Sequence, residues 1–231
     1  MADKERQEAG EAAEKANLLL ELLTPVVKTY PAEMGLTSIS NGLQILGGYG
    51  FTSEFILQQY YRDIRIMSLY EGTTGIQSLD LLGRKIPMRG GEALKMLAKE
   101  IQAHIEEAST YEELAPYGKV LGKQLALNQK VLEHLIPIAM QGDHERYLAD
   151  ATLFMELFGT IVIAWQWLKI ALSAKKSLLS GDKRYTPEFY ESKIHTMKFY
   201  FKYEVPKTSG LAETLMNDEM LTIVQEKELI S

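Results

Sequence analysis

The sequence contains no cysteine in its 231 residues. Disulfide bonds, thiolate metal sites and a cysteine nucleophile are therefore excluded within it. Basic charge is also scarce, with 25 lysine and arginine residues against 31 aspartate and glutamate residues and a net charge of −6. This balance argues against a general electrostatic attraction to nucleic acid or to an anionic membrane, although it leaves a local basic patch open. The lack of cysteine is compatible with a reducing compartment, and we expect a cytoplasmic protein.

A secretory signal and a long hydrophobic run are missing as well. The first ten residues carry charges where a signal peptide needs an apolar core, so we expect no export by that route. The longest apolar stretch, Leu157 to Leu168, is bounded by Glu156 and Lys169. It falls short of the roughly 18 apolar residues that a membrane-spanning helix requires. We expect a buried core helix there and no membrane span.

Helical patterns run along nearly the whole chain, and no segment is typical of a β-strand. Thr24-Pro25 predicts a cap and a first-turn proline that open a new helix. A helix from Ser38 to Leu46 is predicted to end at Gly47-Gly48. A second short helix is predicted from Glu54 to Arg62, with Thr52 or Ser53 as its cap, and a third from about Thr74 to Lys85.

The glycine-rich turn at residues 87–91 is the strongest boundary signal in the chain. Beyond it, apolar stripes predict long helices that bury one face against their neighbours. One helix is predicted from about Arg146 to Leu179, and Thr186-Pro187 predicts the start of another that continues through Tyr200. The predicted fold is all-α, with a helical bundle over residues 1–88 and a second helical module over residues 89–231.

The second half offers little that points to chemistry. Its histidines lack the paired or Glu-x-x-His spacing of metal ligands, so we expect no metal site. Its aromatic side chains are expected in the core or in a subunit interface rather than in a ligand cage. The histidines are His104, His134, His144 and His195, and the aromatic residues are Trp165, Trp167, Phe199, Tyr200 and Phe201.

Three motifs lie in the first half: Leu-Gln-Ile-Leu-Gly-Gly-Tyr-Gly-Phe at 43–51, Tyr-Arg-Asp at 61–63, and Ile-Met-Ser-Leu-Tyr-Glu-Gly-Thr-Thr-Gly-Ile-Gln at 66–77. Taken alone, Gly47-Gly48 is a helix C-cap, and Glu71 is a solvated glutamate before a helix that Thr73 caps. Arg62 and Asp63 are interpreted as a local structural ion pair. Glycines also admit a ligand close to bare backbone amides, as diphosphates require, so the first motif stays open between the two interpretations.

In this order and spacing, the three motifs resemble the C-terminal helical domain of flavin-dependent acyl-CoA dehydrogenases. The resemblance covers about Asn17 to Ile86. It implies that Glu71 is the base that removes the α-proton of an acyl-CoA thioester. A hydride would then pass from the β-carbon to FAD, which gives a trans-2-enoyl-CoA.

The resemblance also implies where the cofactor binds. Gln44, Gly47 and Gly48 correspond to positions that contact the adenosine diphosphate part of FAD. In this family that FAD is held mainly by a neighbouring subunit, so a homo-oligomer, a dimer or a tetramer, is implied. An electron-transfer flavoprotein is the implied electron acceptor.

Five residues around Glu71 receive roles by the same resemblance. Tyr70 would line the substrate pocket and Gly72 would lie against the substrate. Thr73, Thr74 and Gly75 would approach the flavin, whose phosphate or ribityl oxygens suit hydroxyls and backbone amides.

The sequence departs from the family pattern in its extent. No segment resembles the family's N-terminal helical domain or its central β-domain, so Met1 is expected to be a truncated start and this chain alone is expected to be inactive. Residues 89–231 resemble the helical C-terminal extension of a bacterial subset, the methylmercaptopropionyl-CoA dehydrogenase-like members. Two alternatives stay open: a non-catalytic helical interaction or oligomerisation module, and a nucleic-acid-associated relative, which the negative charge disfavours.

Overall fold

The computed structural model describes residues 10–219 and 221–223. These residues form helices and turns without a strand, which confirms the all-α prediction. The charged first nine residues, on which the prediction about a signal peptide depends, lie outside the described residues. The chain divides into two compact units, residues 1–93 and 94–231. The assignment of residues 1–88 and 89–231 to two functional parts stays a prediction.

The first unit is built around one long helix, α1, against which two short helices pack. In chain order its elements are α1 (Glu11–Ile45), a 3₁₀ turn (Gly47–Phe51), α2 (Leu57–Arg65), a second 3₁₀ turn (Ile66–Ser68), α3 (Thr74–Asp80) and a π-helical turn (Leu81–Lys85).

The predicted helix start at Thr24-Pro25 is wrong, because α1 continues through Pro25 and also through Pro31. A proline inside a helix costs roughly 3 kcal/mol. The fully buried Leu22 and Val26 lie on either side of Pro25, and each such side chain contributes about 1.5–3 kcal/mol. Burial of this continuous apolar face therefore outweighs the cost of the proline.

The predicted bounds of the second short helix are also wrong. The helix covers Leu57–Arg65 and has no side-chain cap. The Thr52 hydroxyl donates to the carbonyl of Tyr49 (2.8 Å) and its amide does the same (3.0 Å), so Thr52 closes the preceding 3₁₀ turn instead of opening a helix. The end of α1 is as predicted, since Gly47 follows it with a φ of 60°, the left-handed conformation of a helix-terminating glycine.

The second unit is a bundle of longer helices. Its elements are α4 (Met88–Ser109), whose residues 88–93 belong to the first unit, α5 (Ala115–Met140), α6 (His144–Leu148), α7 (Ala151–Ser180), α8 (Pro187–Tyr203), a 3₁₀ turn (Val205–Lys207) and α9 (Thr208–Leu215). The start of α4 contains three left-handed residues at 89–91, where the sequence predicts a turn.

Of two helix predictions in this unit, one is confirmed and one is wrong. Thr186 caps α8 by accepting from the amide of Phe189 (3.3 Å), as predicted. The single helix predicted from Arg146 to Leu179 is instead two helices, because α6 ends at Leu148 and α7 begins at Ala151.

α7 is the core helix of the second unit and packs against α5, α8 and α9. It is long and apolar enough to cross a membrane, yet 67% of its most apolar window is buried, as the sequence predicts for a core helix. Trp165, Tyr200 and Phe201 are buried in the same core, whereas Phe199 is exposed.

Candidate active site

Glu71 lies in the loop between the 3₁₀ turn Ile66–Ser68 and α3, in a backbone conformation that few residues adopt. Its φ is 54°, and the φ of the following Gly72 is 94°. A residue other than glycine in the left-handed region costs about 1–3 kcal/mol and persists only where its surroundings impose it. The loop must therefore be held by contacts with its neighbours.

Those contacts come from one side chain of α1 and one of α3. The ammonium group of Lys28 donates to the carbonyl of Met67 (2.7 Å) and to the carbonyl of Gly72 (2.7 Å). The side-chain amide of Gln77 donates to the carbonyl of Glu71 (3.1 Å). Hydrogen bonds thus fix two consecutive carbonyls, those of Glu71 and Gly72. The backbone they hold sets the direction in which the Glu71 side chain points.

The two threonines that follow tie the loop to helix ends. Thr73 caps α3, since its hydroxyl oxygen accepts from the amide of Ile76 (3.3 Å), as predicted. The hydroxyl of Thr74 donates to the carboxylate of Glu33 on α1. The start of α3 is therefore anchored to α1.

Gly72 is a position that strongly favours glycine. Its φ of 94° is rare for any side-chain-bearing residue, and a Cβ added there would lie 2.8 Å from the amide nitrogen of Gln77. Because residue 72 has no side chain, the side-chain amide of Gln77 has room to make its hydrogen bond to the carbonyl of Glu71.

The Glu71 carboxylate itself is exposed. In the part of the chain that the structure describes, no group hydrogen-bonds it or pairs with it. Tyr70 is 44% exposed, with the Lys28 ammonium 5.9 Å from its ring centroid. Leu69 and Ile76 add exposed apolar surface nearby in the chain. The carboxylate is thus free to contact a ligand.

The second predicted surface, Gln44 with Gly47 and Gly48, lies at the C-terminal end of α1, and all three residues are exposed. A Cβ at Gly48 would meet no atom within 4 Å, and Gly48 does not have a positive φ. By contrast, a Cβ at Gly50 would collide with the backbone of Leu43. Nothing among the described residues requires glycine at position 48, and its bare backbone is open to close approach.

The structure does not bring the two predicted surfaces together. Glu33, which binds Thr74, and Gln44 both lie on α1, and at 1.5 Å per residue roughly 16 Å of helix separates them. Gly75, in the first turn of α3, is on the Glu71 side of this gap. One unit therefore presents two separate candidate cofactor surfaces.

Sequence reasoning missed Lys28, Glu33 and Gln77. Lys28 is a lone charge inside the run Leu22 to Tyr30, and a single charge in an apolar run indicates that a polar partner lies nearby. Its partners lie 39 and 44 residues away, and no local pattern identifies them.

The interpretation of Arg62 and Asp63 as an ion pair is wrong for the residues that the structure describes. Both side chains are exposed, and neither forms an ion pair there. With Tyr61, Ile66 and Leu69 they line an open cleft of about 620 Å³.

Two family models match the chain. Residues 97–223, more than half of it, match the model described as "Acetyl-CoA dehydrogenase C-terminal like". Residues 5–86 match the model described as "Acyl-CoA dehydrogenase, C-terminal domain".

Individual relatives agree with these matches. The chain is 37% identical over 191 residues to 3-methylmercaptopropionyl-CoA dehydrogenase of Ruegeria pomeroyi, covering 82% of this chain and 32% of the relative. It is 31% identical over 211 residues to the broad-specificity linear acyl-CoA dehydrogenase FadE5 of Mycobacterium tuberculosis, covering 87% and 34%. The chain thus spans about a third of the length of these curated relatives.

A solved structure shows the same fold. The crystal structure of Caenorhabditis elegans ACDH-11 in complex with C11-CoA superposes with a TM-score of 0.56 at 21% sequence identity, covering 96% of this chain and 32% of that chain.

Proposed function

Since the chain belongs to the acyl-CoA dehydrogenase family, we propose that it is the C-terminal helical portion of an FAD-dependent enzyme that converts an acyl-CoA thioester to a trans-2-enoyl-CoA. Glu71 is the α-proton base in this proposal. The observation that carries it is the Glu71 carboxylate itself, exposed, without a partner among the described residues and mounted on a loop whose backbone is fixed.

The chemistry asked of Glu71 is a single proton transfer. A carboxylate oxygen accepts the proton on the carbon next to the thioester carbonyl, and the electrons of that C–H bond become the α,β double bond as a hydride leaves the β-carbon. When bound, FAD would accept this hydride. Positioned proton transfer of this kind contributes about 10²–10⁴-fold to rate.

Residues beside Glu71 suit the substrate. Gly72 has no side chain, so a thioester can approach the backbone next to the base. Tyr70 offers a half-exposed ring, whose hydroxyl donates to the sulfur of Met67 (2.8 Å) and whose centroid lies 5.9 Å from the Lys28 ammonium. Because the base lies on an open surface in this chain, the remaining walls of the pocket must come from the rest of the enzyme.

The residues assigned to FAD also fit such a group. The bare backbone at Gly48 and the exposed amide of Gln44 suit the oxygens of a diphosphate. The hydroxyl of Thr73 accepts from Ile76 and keeps its own hydrogen to donate, whereas the Thr74 hydroxyl already donates to Glu33. Thr73 therefore suits the flavin better than Thr74.

The separation of the two surfaces along α1 supports a homo-oligomer. If Thr73 and Gly75 approach the flavin beside their own Glu71, then Gln44, Gly47 and Gly48 are free to contact FAD of a neighbouring subunit. On this ground we propose that the enzyme is a dimer or tetramer. We also propose that it acts in the cytoplasm and passes its electrons to an electron-transfer flavoprotein.

Steady-state kinetics of the full-length enzyme test the proposal. We expect Glu71→Gln to retain FAD and to lose at least about 100-fold in kcat, because the amide cannot take the proton. The matched control is Glu54→Gln, an exposed glutamate in the same unit, which should leave kcat unchanged. Retained activity in Glu71→Gln would place the base elsewhere.

The alternative is a non-catalytic helical interaction module, which the exposed apolar residues of the first unit favour. Under that alternative, Glu71→Gln would have no catalytic rate to change. Substitution of the exposed apolar residues would abolish binding to the partner protein.

A further inference from the structure

Lys28 binds unlike other cations of the first unit. Lys85 pairs with the carboxylate of Glu21 (3.1 Å), and Arg89 pairs with that of Glu14 (2.5 Å). Lys28 forms no such pair among the described residues and donates instead to two backbone carbonyls. A charged donor makes stronger hydrogen bonds than a neutral one, so Lys28 directs two strong bonds to the loop.

The two carbonyls lie on opposite sides of Glu71. Met67 precedes it in the 3₁₀ turn Ile66–Ser68, and Gly72 follows it directly. One ammonium group therefore joins both ends of the Glu71 segment to α1. Among the described residues, the Gln77 side chain makes one hydrogen bond to this loop, to the carbonyl of Glu71.

This linkage acts where the backbone is strained. Glu71 and Gly72 are consecutive residues with positive φ, and the carbonyl between Gly72 and Thr73 is the one that Lys28 holds. Loss of the bond to Lys28 would free that peptide to rotate and would release one end of the segment that carries Glu71. The side chain of Lys28 also lies over the ring of Tyr70.

We propose that Lys28 is the positioning residue of the base: it holds the loop from Met67 to Gly72 in the one conformation that presents the Glu71 carboxylate to the substrate. This proposal rests on the proposed function of Glu71. In this proposal Lys28 acts through the loop and not through contact with the substrate or the flavin.

Substitution of Lys28 in the full-length enzyme is the test. Misplacement of a catalytic group by about 1 Å costs on the order of 100-fold in rate, so Lys28→Met should lower kcat by roughly 10- to 100-fold. The fall in kcat should exceed any change in KM, and the variant should remain folded and retain FAD. The matched control is Lys130→Met, the same change at an exposed lysine of α5.

Chemical rescue separates positioning from a structural role. This part of the protein contains no cysteine, so Lys28→Cys followed by aminoethylation restores an ammonium at this position alone. Unmutated enzyme treated in the same way controls for cysteines elsewhere in the full-length protein. We expect the alkylated variant to regain most of the lost kcat, and the peptide covering residues 66–77 to exchange its amide hydrogens faster in Lys28→Met.

The outcomes distinguish the two proposals. If Glu71→Gln is inactive while Lys28→Met keeps full kcat, the positioning role is overturned and the base stands. If Lys28→Met loses FAD or unfolds and the alkylated Lys28→Cys recovers nothing, Lys28 is a structural residue and the proposal fails. If Glu71→Gln is active, the proposed function itself fails.

Discussion

The two units of this chain differ in how well each buries its own apolar side chains. In the second unit, Phe154, Leu157 and Leu168 of α7 are inaccessible to solvent. In the first unit, Phe51 is 93% exposed and Ile45 is 85% exposed. Exposed apolar surface of this kind marks sites of interaction. The unit that carries the candidate active site therefore exposes more of its large apolar side chains than the second unit does.

The comparison teaches where function lies in such a fold. Both units bury a core, but the first leaves more large apolar side chains in water. Both predicted cofactor surfaces and the candidate base lie on this first unit.

Removal of a core side chain from the second unit should give the largest stability effect. Phe154→Ala deletes a fully buried ring in α7 and should lower the free energy of unfolding by about 3–5 kcal/mol. Phe51→Ala in the first unit should change it by less than about 0.5 kcal/mol. Equilibrium denaturation of both variants measures the difference, and equal effects would remove the contrast between the units.

A pair of glycine substitutions sharpens the comparison inside the first unit. Gly72→Ala forces a side chain into a positive φ and against Gln77, so it should destabilise by about 1–2 kcal/mol. The Cβ that Gly48→Ala adds would point into open space, so the free energy of unfolding should stay unchanged. The same substitution should weaken FAD retention in the full-length enzyme. Denaturation and flavin absorbance measure the two effects, and unaltered flavin retention in Gly48→Ala would argue against the predicted contact.

The smallest effect is expected for an ion network on the second unit. Hydrogen bonds from Lys175 (2.8 Å) and Lys198 (2.7 Å) lower the pKa of Glu113 below its ordinary value. Its contribution is therefore present above the ordinary carboxyl pKa and is lost as the pH falls through the lowered folded-state pKa. Because 36% of the Glu113 side chain is exposed and solvent screens its ion pairs, we expect Glu113→Gln to cost no more than about 1 kcal/mol near neutral pH.

Unfolding of both proteins as a function of pH checks this prediction. The loss caused by Glu113→Gln should shrink in acid, because the wild-type carboxylate becomes protonated there. A loss that is the same at neutral and acidic pH would show that charge is not its origin.

Local chemistry made part of this structure predictable. The caps Thr73 and Thr186 follow from bonds between a side chain and an amide three residues on, and the helix end at Gly47 follows from its backbone freedom. Each of these signals involves only a few consecutive residues, so sequence alone contains it.

Long-range packing made the rest unpredictable. The passage of α1 through Pro25 and Pro31 depends on the burial of its apolar face. The bonds from Lys28 to the Glu71 loop join residues 39 and 44 positions apart. The sequence therefore indicated the candidate base but not the lysine that orients it.

Single-turnover reduction of the flavin tests the central claim most directly. Full-length enzyme is mixed with acyl-CoA in the absence of an electron acceptor, and the loss of oxidised flavin absorbance is followed in time. We predict rapid bleaching in the unmutated enzyme and none on the same timescale in Glu71→Gln, although that variant still binds acyl-CoA. Bleaching of Glu71→Gln at the unmutated rate would contradict the assignment of Glu71 as the base.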